Sequence, residues 1–275
     1  MSLDYEEDLD YKATTATLPK RDWYHVKFMC RVFAAEALGL GLICFLVTVH
    51  GGRGSLKSDV SGPVTASAAF ALAVWIVGPV SGPQITPILS IALLMTRRIN
   101  FVYCILGIAG QICGGVLGVA LGSRLVPGLS ERDDVFLQTP GPGVTDGQVF
   151  GMECICSFLL IICCLSTMDE FRKGHWADGH ITVFSLIVFL LILMLAAVLI
   201  YIVAPICGSI IAVFLWEMVI SDGASLERTK HWWTDPNFDR HKDYVKLKRE
   251  AARQRFHEEA MLRIVLNNFL IRFVL

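Results

Sequence analysis

"GPVSGPQITPILSIALL", residues 78–94, holds three prolines and two glycines at its start and an unbroken apolar run at its end. The proline spacing breaks any helix that tries to run through residues 79–87, because each proline lacks a donor and its ring crowds the preceding turn. The run that follows, "PILSIALLMT" (87–96), opens on a proline, which suits a first helical position. Ten helical residues cover only about 15 Å, half of a bilayer core of about 30 Å. The run then meets Arg97 and Arg98, which favour water. A segment that enters, turns and leaves on one side fits this pattern, with a kinked third span as the alternative. Non-helical backbone at that depth persists only where protein buries it or where it lines an aqueous cavity.

The rest of the chain supplies the surroundings such a segment needs. Its 275 residues are 54% hydrophobic and 18% charged, with a mean hydropathy of +0.57. Continuous apolar stretches of membrane-spanning length occupy about residues 27–49, 63–78, 101–126 and 147–168. The stretch 181–220 is too long for one crossing, so it reads as two, giving an all-α membrane protein with six spans. Lys12, Lys20, Arg21, Lys27, Arg97, Arg98, Arg172 and Lys173 then flank one side, which predicts cytosolic termini. The divisions are a cytosolic tail over 1–25, a transmembrane domain over 26–220, and a C-terminal tail over 221–275. That tail reads as a basic helix at 241–255 followed by an apolar end at 260–275, either an inner-leaflet anchor or a docking segment.

The chain repeats itself. "VFAAE" (32–36) recurs as "VFGME" (149–153), and "ICGG" (112–115) as "ICGS" (206–209). With three spans per half, the halves run in opposite directions, an inverted repeat of the kind transport proteins use. The second half is shorter: Glu36 to Gly114 covers 78 positions (114 − 36), but Glu153 to Gly208 only 55 (208 − 153). The missing length corresponds to a second re-entrant segment. From Leu186 to Ala204 no Gly, Pro, Asn or Asp marks a turn.

Glu36 and Glu153 are ionisable groups inside apolar helices, where such residues face protein or a water path. Sitting at equivalent points of the repeat, they suit the support of irregular backbone better than a proton relay. Gly110, Gly114, Gly118 and Gly122 recur at every fourth position, a device repeated by Ala204, Gly208 and Ala212. Small residues at that spacing predict close helix packing. The nine cysteines fall in or near apolar runs and read as small packing residues. No Ser/His/Asp, Cys/His or metal-spaced cluster points to an enzyme, and nothing points to a cofactor or to nucleic acid.

Over residues 25–220 the sequence resembles the aquaporin, or major intrinsic protein, family. The resemblance rests on Glu36, Gln111, "SGPQITP" (81–87), "GQVFGMECICSFLLIICCLSTMDEFRK" (147–173) and "VAPICGSIIAVFLWEMV" (203–219). It implies an aquaporin-like six-helix bundle built from an inverted repeat, a homotetramer in the plasma membrane, and a passive pore for water or small neutral solutes. Ser81, Gly82, Gln84, Thr86, Pro87 and Ile88 would form the re-entrant motif, supported by Glu36, Gln111 and Glu153, with Phe70 as the candidate filter aromatic. The departures are specific. Thr86-Pro87-Ile88 stands where the family has Asn-Pro-Ala, the second such motif is absent, and no arginine occurs from 174 to 227. One re-entrant half-helix is therefore retained. A non-conducting member with a structural, adhesion or regulatory role is the alternative.

Overall fold

A computed structural model describes residues 19, 23–51, 61–82, 84–131, 143–168, 186–190, 203–221, 224–236 and 238, with positions 243, 246, 249–250, 253 and 261 from the tail. Most of the expected N-terminal tail, most of the 181–202 crossing and, apart from residue 261, the apolar C-terminal end lie outside the described residues; residues 23–25, expected in the tail, already belong to the first helix.

Among the described residues, four helices are long and apolar enough to cross a membrane: α1 (Trp23–Gly51), α2 (Ser61–Ser81), α4 (Phe101–Leu125) and α5 (Asp146–Thr167). Between α2 and α4 lies the short α3 (Pro87–Met95). Helix α6 (Val203–Leu215) continues as a π-helical turn, Trp216–Ile220, and is followed by α7 (Leu226–Thr234). The described residues contain no strand.

Helix α2 corrects the sequence reading. It does not stop at residue 78 but runs through Pro79 to Ser81, so "GPVS" closes the second span and does not open the re-entrant segment. Only the last turn follows Pro79, so few backbone bonds are forfeited. Helix α3 begins on Pro87 with Thr86 in extended geometry (φ −128°) just before it. It ends with Arg98 N–H donating to Leu93 O (2.9 Å) and Arg97 N–H to Leu94 O (3.0 Å), a Schellman arrangement. The residue at the left-handed position is Arg97 (φ 52°). Glycine is the usual occupant there, and a residue with a Cβ bears a cost of about 1–2 kcal/mol.

The bundle is packed small side inward. On α4, Gly110, Gly114 and Gly118 lie against the Phe33, Ala37 and Gly41 carbonyls of α1, and a Cβ at any of the three would overlap that backbone. On α6, Gly208 meets the Cys154 carbonyl of α5 in the same way. The large apolar residues of α4, including Phe101, Ile112, Val116, Leu117 and Leu121, are exposed on the opposite face. Such a surface requires a hydrocarbon surround. All nine cysteines are free thiols. Helix α4 is started by Asn100, whose side chain accepts from the N–H groups of Val102 (2.8 Å) and Tyr103 (3.2 Å), as an N-cap does. Helix α5 starts with Thr145 and Gln148 bonded reciprocally, a capping box.

Candidate pore segment

Between α2 and α3 the backbone descends in tight steps. Gly82 takes φ 73°, and its N–H donates to Gly78 O (3.0 Å). Gln84 N–H reaches Gly82 O (2.8 Å), and Thr86 N–H reaches Gln84 O (2.5 Å). Ile85 sits between them at φ 56°. For a β-branched residue that is a genuine outlier. Strain of this kind persists only where the surroundings over-determine it.

The surroundings here are one carboxylate. Glu36 projects from α1 fully buried. Its Oε2 accepts from the strained Ile85 N–H (2.8 Å) and from Gln111 Nε2 (2.7 Å), and its Oε1 accepts from Ser81 Oγ (2.5 Å). Four elements thus meet at one residue: α1, the end of α2, the irregular segment and α4. Gln111 Nε2 also donates to Ser90 Oγ (3.1 Å), whose hydroxyl in turn donates to Thr86 O (3.2 Å). Ser90 therefore carries the network into α3, a role the sequence reading does not assign it. A lone serine inside "PILSIALLM" is the available signal. Ile85 and its backbone angle have none.

Gln84 is fully buried. Its amide packs on α4 where Gly107 leaves room, since a Cβ there would overlap Oε1. Its Nε2 makes a long contact to Ser81 O (3.4 Å). Thr86 is half-buried, makes no capping bond to α3, and its Oγ1 is a buried atom without a hydrogen-bond partner among the described residues. Pro87 is exposed beside it and Ile88 half-buried. The Ile88 carbonyl accepts from Ser209 Oγ of α6 (3.2 Å), so the repeat partner of Gly115 touches the half-helix. Phe70 is half-buried on α2, packed against the core. Glu153 is fully buried on α5, one turn before the equally buried Ser157.

The outer end of α3 departs from expectation. Arg97 and Arg98 are half-buried rather than water-facing. Arg98 Nη1 donates to Met168 O at the end of α5 (2.7 Å), and Arg97 Nη1 to Asp235 O beyond α7 (2.9 Å). Guanidinium groups tolerate this because several fixed donors can be matched to backbone carbonyls. Among the described residues no group of three or more His, Cys, Asp or Glu could hold a metal ion.

Comparison with known proteins bears on the family and the fold. The sequence model of the family described as "Major intrinsic protein" matches residues 22–199. Aquaporin-1 of Bos taurus is 28% identical over 168 residues, covering 57% of this chain and 62% of that protein. Aquaporin-5 of Mus musculus is 31% identical over 155 residues, covering 54% of this chain and 58% of that protein. The chain thus spans about three-fifths of the length of these relatives. Among solved structures, the aquaglyceroporin from Plasmodium falciparum superposes with a TM-score of 0.55 at 19% identity, covering 76% of this chain and 87% of that one. That likeness shows a common fold, an aquaporin-like helical bundle.

Proposed function

The chain belongs to the major intrinsic protein family, and on that premise we propose that it is a passive transmembrane pore for water or small neutral solutes. Relatives of this chain carry the name aquaporin, and a structural neighbour is an aquaglyceroporin. The observation that carries the reading is the start of α3 inside the bundle. There the first-turn amides have no side-chain cap, and the Thr86 hydroxyl beside them is buried and unpaired among the described residues. An orphaned hydroxyl next to a helix N-terminus supports this reading because a water or polyol hydroxyl is the kind of partner it lacks, although in the described conformation the oxygen is closed off from solvent. Glu36 holds this point in place through Ile85, and Gln111 and Ser90 fix the first turn of α3 behind it.

In this reading residues 26–220 form the membrane domain of a homo-oligomer, a tetramer as in the family, in the plasma membrane with both termini cytosolic. Phe70 contributes the aromatic wall of the filter, and Glu153 supports the second half. No chemical step is needed, so the protein is a pore and not an enzyme.

One observation favours a non-conducting reading: α6 lies directly on α3, with Ser209 Oγ on Ile88 O, and Ile88 adds bulk beside Thr86. Stopped-flow osmotic shrinkage of proteoliposomes holding the full chain separates the two. A pore gives water or glycerol permeability above empty vesicles, and Thr86→Trp abolishes it while the oligomer persists. Full-chain vesicles equal to empty ones for both solutes would leave the structural role.

A further inference from the structure

Two adjacent tryptophans of α7 meet opposite surroundings. Trp232 is 4% exposed and belongs to the hydrophobic core, whereas Trp233 is 55% exposed. The helix is fixed in that orientation from its buried side. Ser225 accepts from Arg228 N–H (3.0 Å), which starts the helix. The Arg228 guanidinium pairs with Glu217 at the end of α6 (3.1 Å) and with Asp243 of the tail (2.6 Å). Thr229 Oγ1 donates to Glu217 O (3.4 Å). Leu226, Lys230 and Trp233 stand four and three positions apart, so they share one helix face, and all three are exposed. Glu227 and His231 lie on the flank of that face.

The exposed face lies where the bundle leaves the membrane. Trp233 stacks on Phe214 of α6, centroids 5.9 Å apart and planes 3° apart. Phe214 stands six positions before the apolar run of α6 ends at Ile220, and Val219 and Ile220 are themselves exposed. Other exposed aromatic residues gather at the same end: Trp23 and Tyr24 at the start of α1, and Phe101 at the start of α4. These starts are tied into one layer with α7. Phe28 packs edge-on against Tyr103 (5.5 Å), and Arg97, just before α4, donates to Asp235 O just after α7 (2.9 Å). Exposed tryptophan and tyrosine in one layer mark a membrane–water interface.

Charge completes the face. Lys230 has no ion-pair partner among the described residues. A lysine between a leucine and a tryptophan at that depth lays its methylenes on apolar surface and carries its ammonium to the headgroups. Beyond Asp243, the helical residues Lys246, Arg249 and Arg253 are all exposed, at spacings that again share a face. Residues 224–255 hold nine Lys and Arg against five Asp and Glu. An apolar and aromatic face beside clustered cations fits an anionic lipid surface. A soluble acidic partner fits less well, because the stack on Phe214 sets Trp233 beside a membrane-embedded helix.

We propose that α7 is an interfacial helix whose Lys230 and Trp233 hold the headgroup of an anionic phospholipid, with Lys246, Arg249 and Arg253 adding to the attraction. The inference rests on the membrane bundle and not on conduction, so a closed pore leaves it untouched.

The test places the full chain in phosphatidylcholine nanodiscs containing increasing fractions of acyl-brominated phosphatidylglycerol or acyl-brominated phosphatidylcholine. Bromine quenches tryptophan on contact, and the difference between the parent and Trp233→Phe isolates the share of Trp233. The expected result is quenching of Trp233 with an apparent preference of about fivefold or more for phosphatidylglycerol, the attraction of about one lysine near the surface. In Lys230→Gln, again compared with and without Trp233→Phe, the preference should fall toward unity while quenching by phosphatidylcholine persists. Persistence shows that the helix still lies on lipid, which separates loss of the charge from loss of the fold. A Trp233 quenched by neither lipid overturns the interfacial helix. Equal quenching by the two lipids in the parent overturns the anionic site, as does a preference that survives in Lys230→Gln.

Discussion

Replacing Glu36 by leucine removes the acceptor on which three donors converge. The consequences differ for each donor. Ser81 Oγ retains the Gly82 carbonyl (3.0 Å) and the Val77 carbonyl (3.4 Å). Gln111 Nε2 retains Ser90 Oγ (3.1 Å). Ile85 N–H has no second partner among the described residues, and its residue is 2% exposed. An orphaned buried donor costs about 1–3 kcal/mol. The left-handed Ile85 backbone, which stores a further strain of about 1–3 kcal/mol, then loses the bond that opposes its relaxation. Weakening of the two remaining contacts adds a little more, on the scale of about 0.6 kcal/mol for hydrogen bonds measured within membranes. The sum for Glu36→Leu is about 2–4 kcal/mol. Glu36→Gln differs sharply, because its single carbonyl can serve Ile85 and Gln111 while its amide donates to a Ser81 hydroxyl turned toward Gly82 O. Its cost is about 1 kcal/mol. Thermal unfolding of the purified proteins in one detergent, followed by intrinsic fluorescence, measures both. A Glu36→Leu protein within about 0.5 kcal/mol of the parent, the range of ordinary surface substitutions, would refute the claim that this carboxylate holds the irregular segment. So would a Glu36→Leu protein no more affected than Glu36→Gln.

The helix contacts give sharper contrasts. Gly114→Ala places a methyl on the Ala37 carbonyl of α1. It should cost about 1–3 kcal/mol or more, since backbone cannot rotate aside as a side chain can. Gly151 lies in the second turn of α5 with open space around it. Gly151→Ala should therefore be neutral or stabilising by about 0.5–1 kcal/mol. The pair is compared by melting temperature in the same detergent, and equal behaviour would contradict the packing described. Asn100→Ala strips two first-turn N–H groups of their acceptor and should lower stability by about 1 kcal/mol. Asn100→Asp, which keeps the acceptor, should not.

Apolar run lengths, proline spacing and the recurrence of Glu36 with Glu153 and of Gly114 with Gly208 are enough to give the helical membrane bundle and the half-helix beginning at Pro87. These are local or periodic properties: a bilayer sets helix length, and proline restricts the backbone at its own position. Glycine periodicity, too, can be read without coordinates, because a four-residue repeat must lie on one helix face.

What the sequence leaves undecided depends on groups far apart along the chain. Pro79 reads as a breaker, yet α2 continues for two residues beyond it, because tertiary packing of the last turn outweighs one lost backbone bond. The partners of Glu36 stand 45, 49 and 75 positions away, and no pattern specifies which donors one carboxylate gathers. Arg97 and Arg98 read as water-seeking charges. Only the return of the tail 138 positions later supplies the carbonyl that draws Arg97 into the protein. Helix α7 escapes a sequence reading for the same reason: "LERTKHWWT" is polar enough to pass for a solvated tail, and only the folded chain buries Trp232 in the core and sets Arg228, Thr229 and Trp233 on the end of α6. Composition and period determined which segments enter the membrane; the pairing of distant polar groups, which only a folded chain brings within about 3 Å, decided how the half-helix is held.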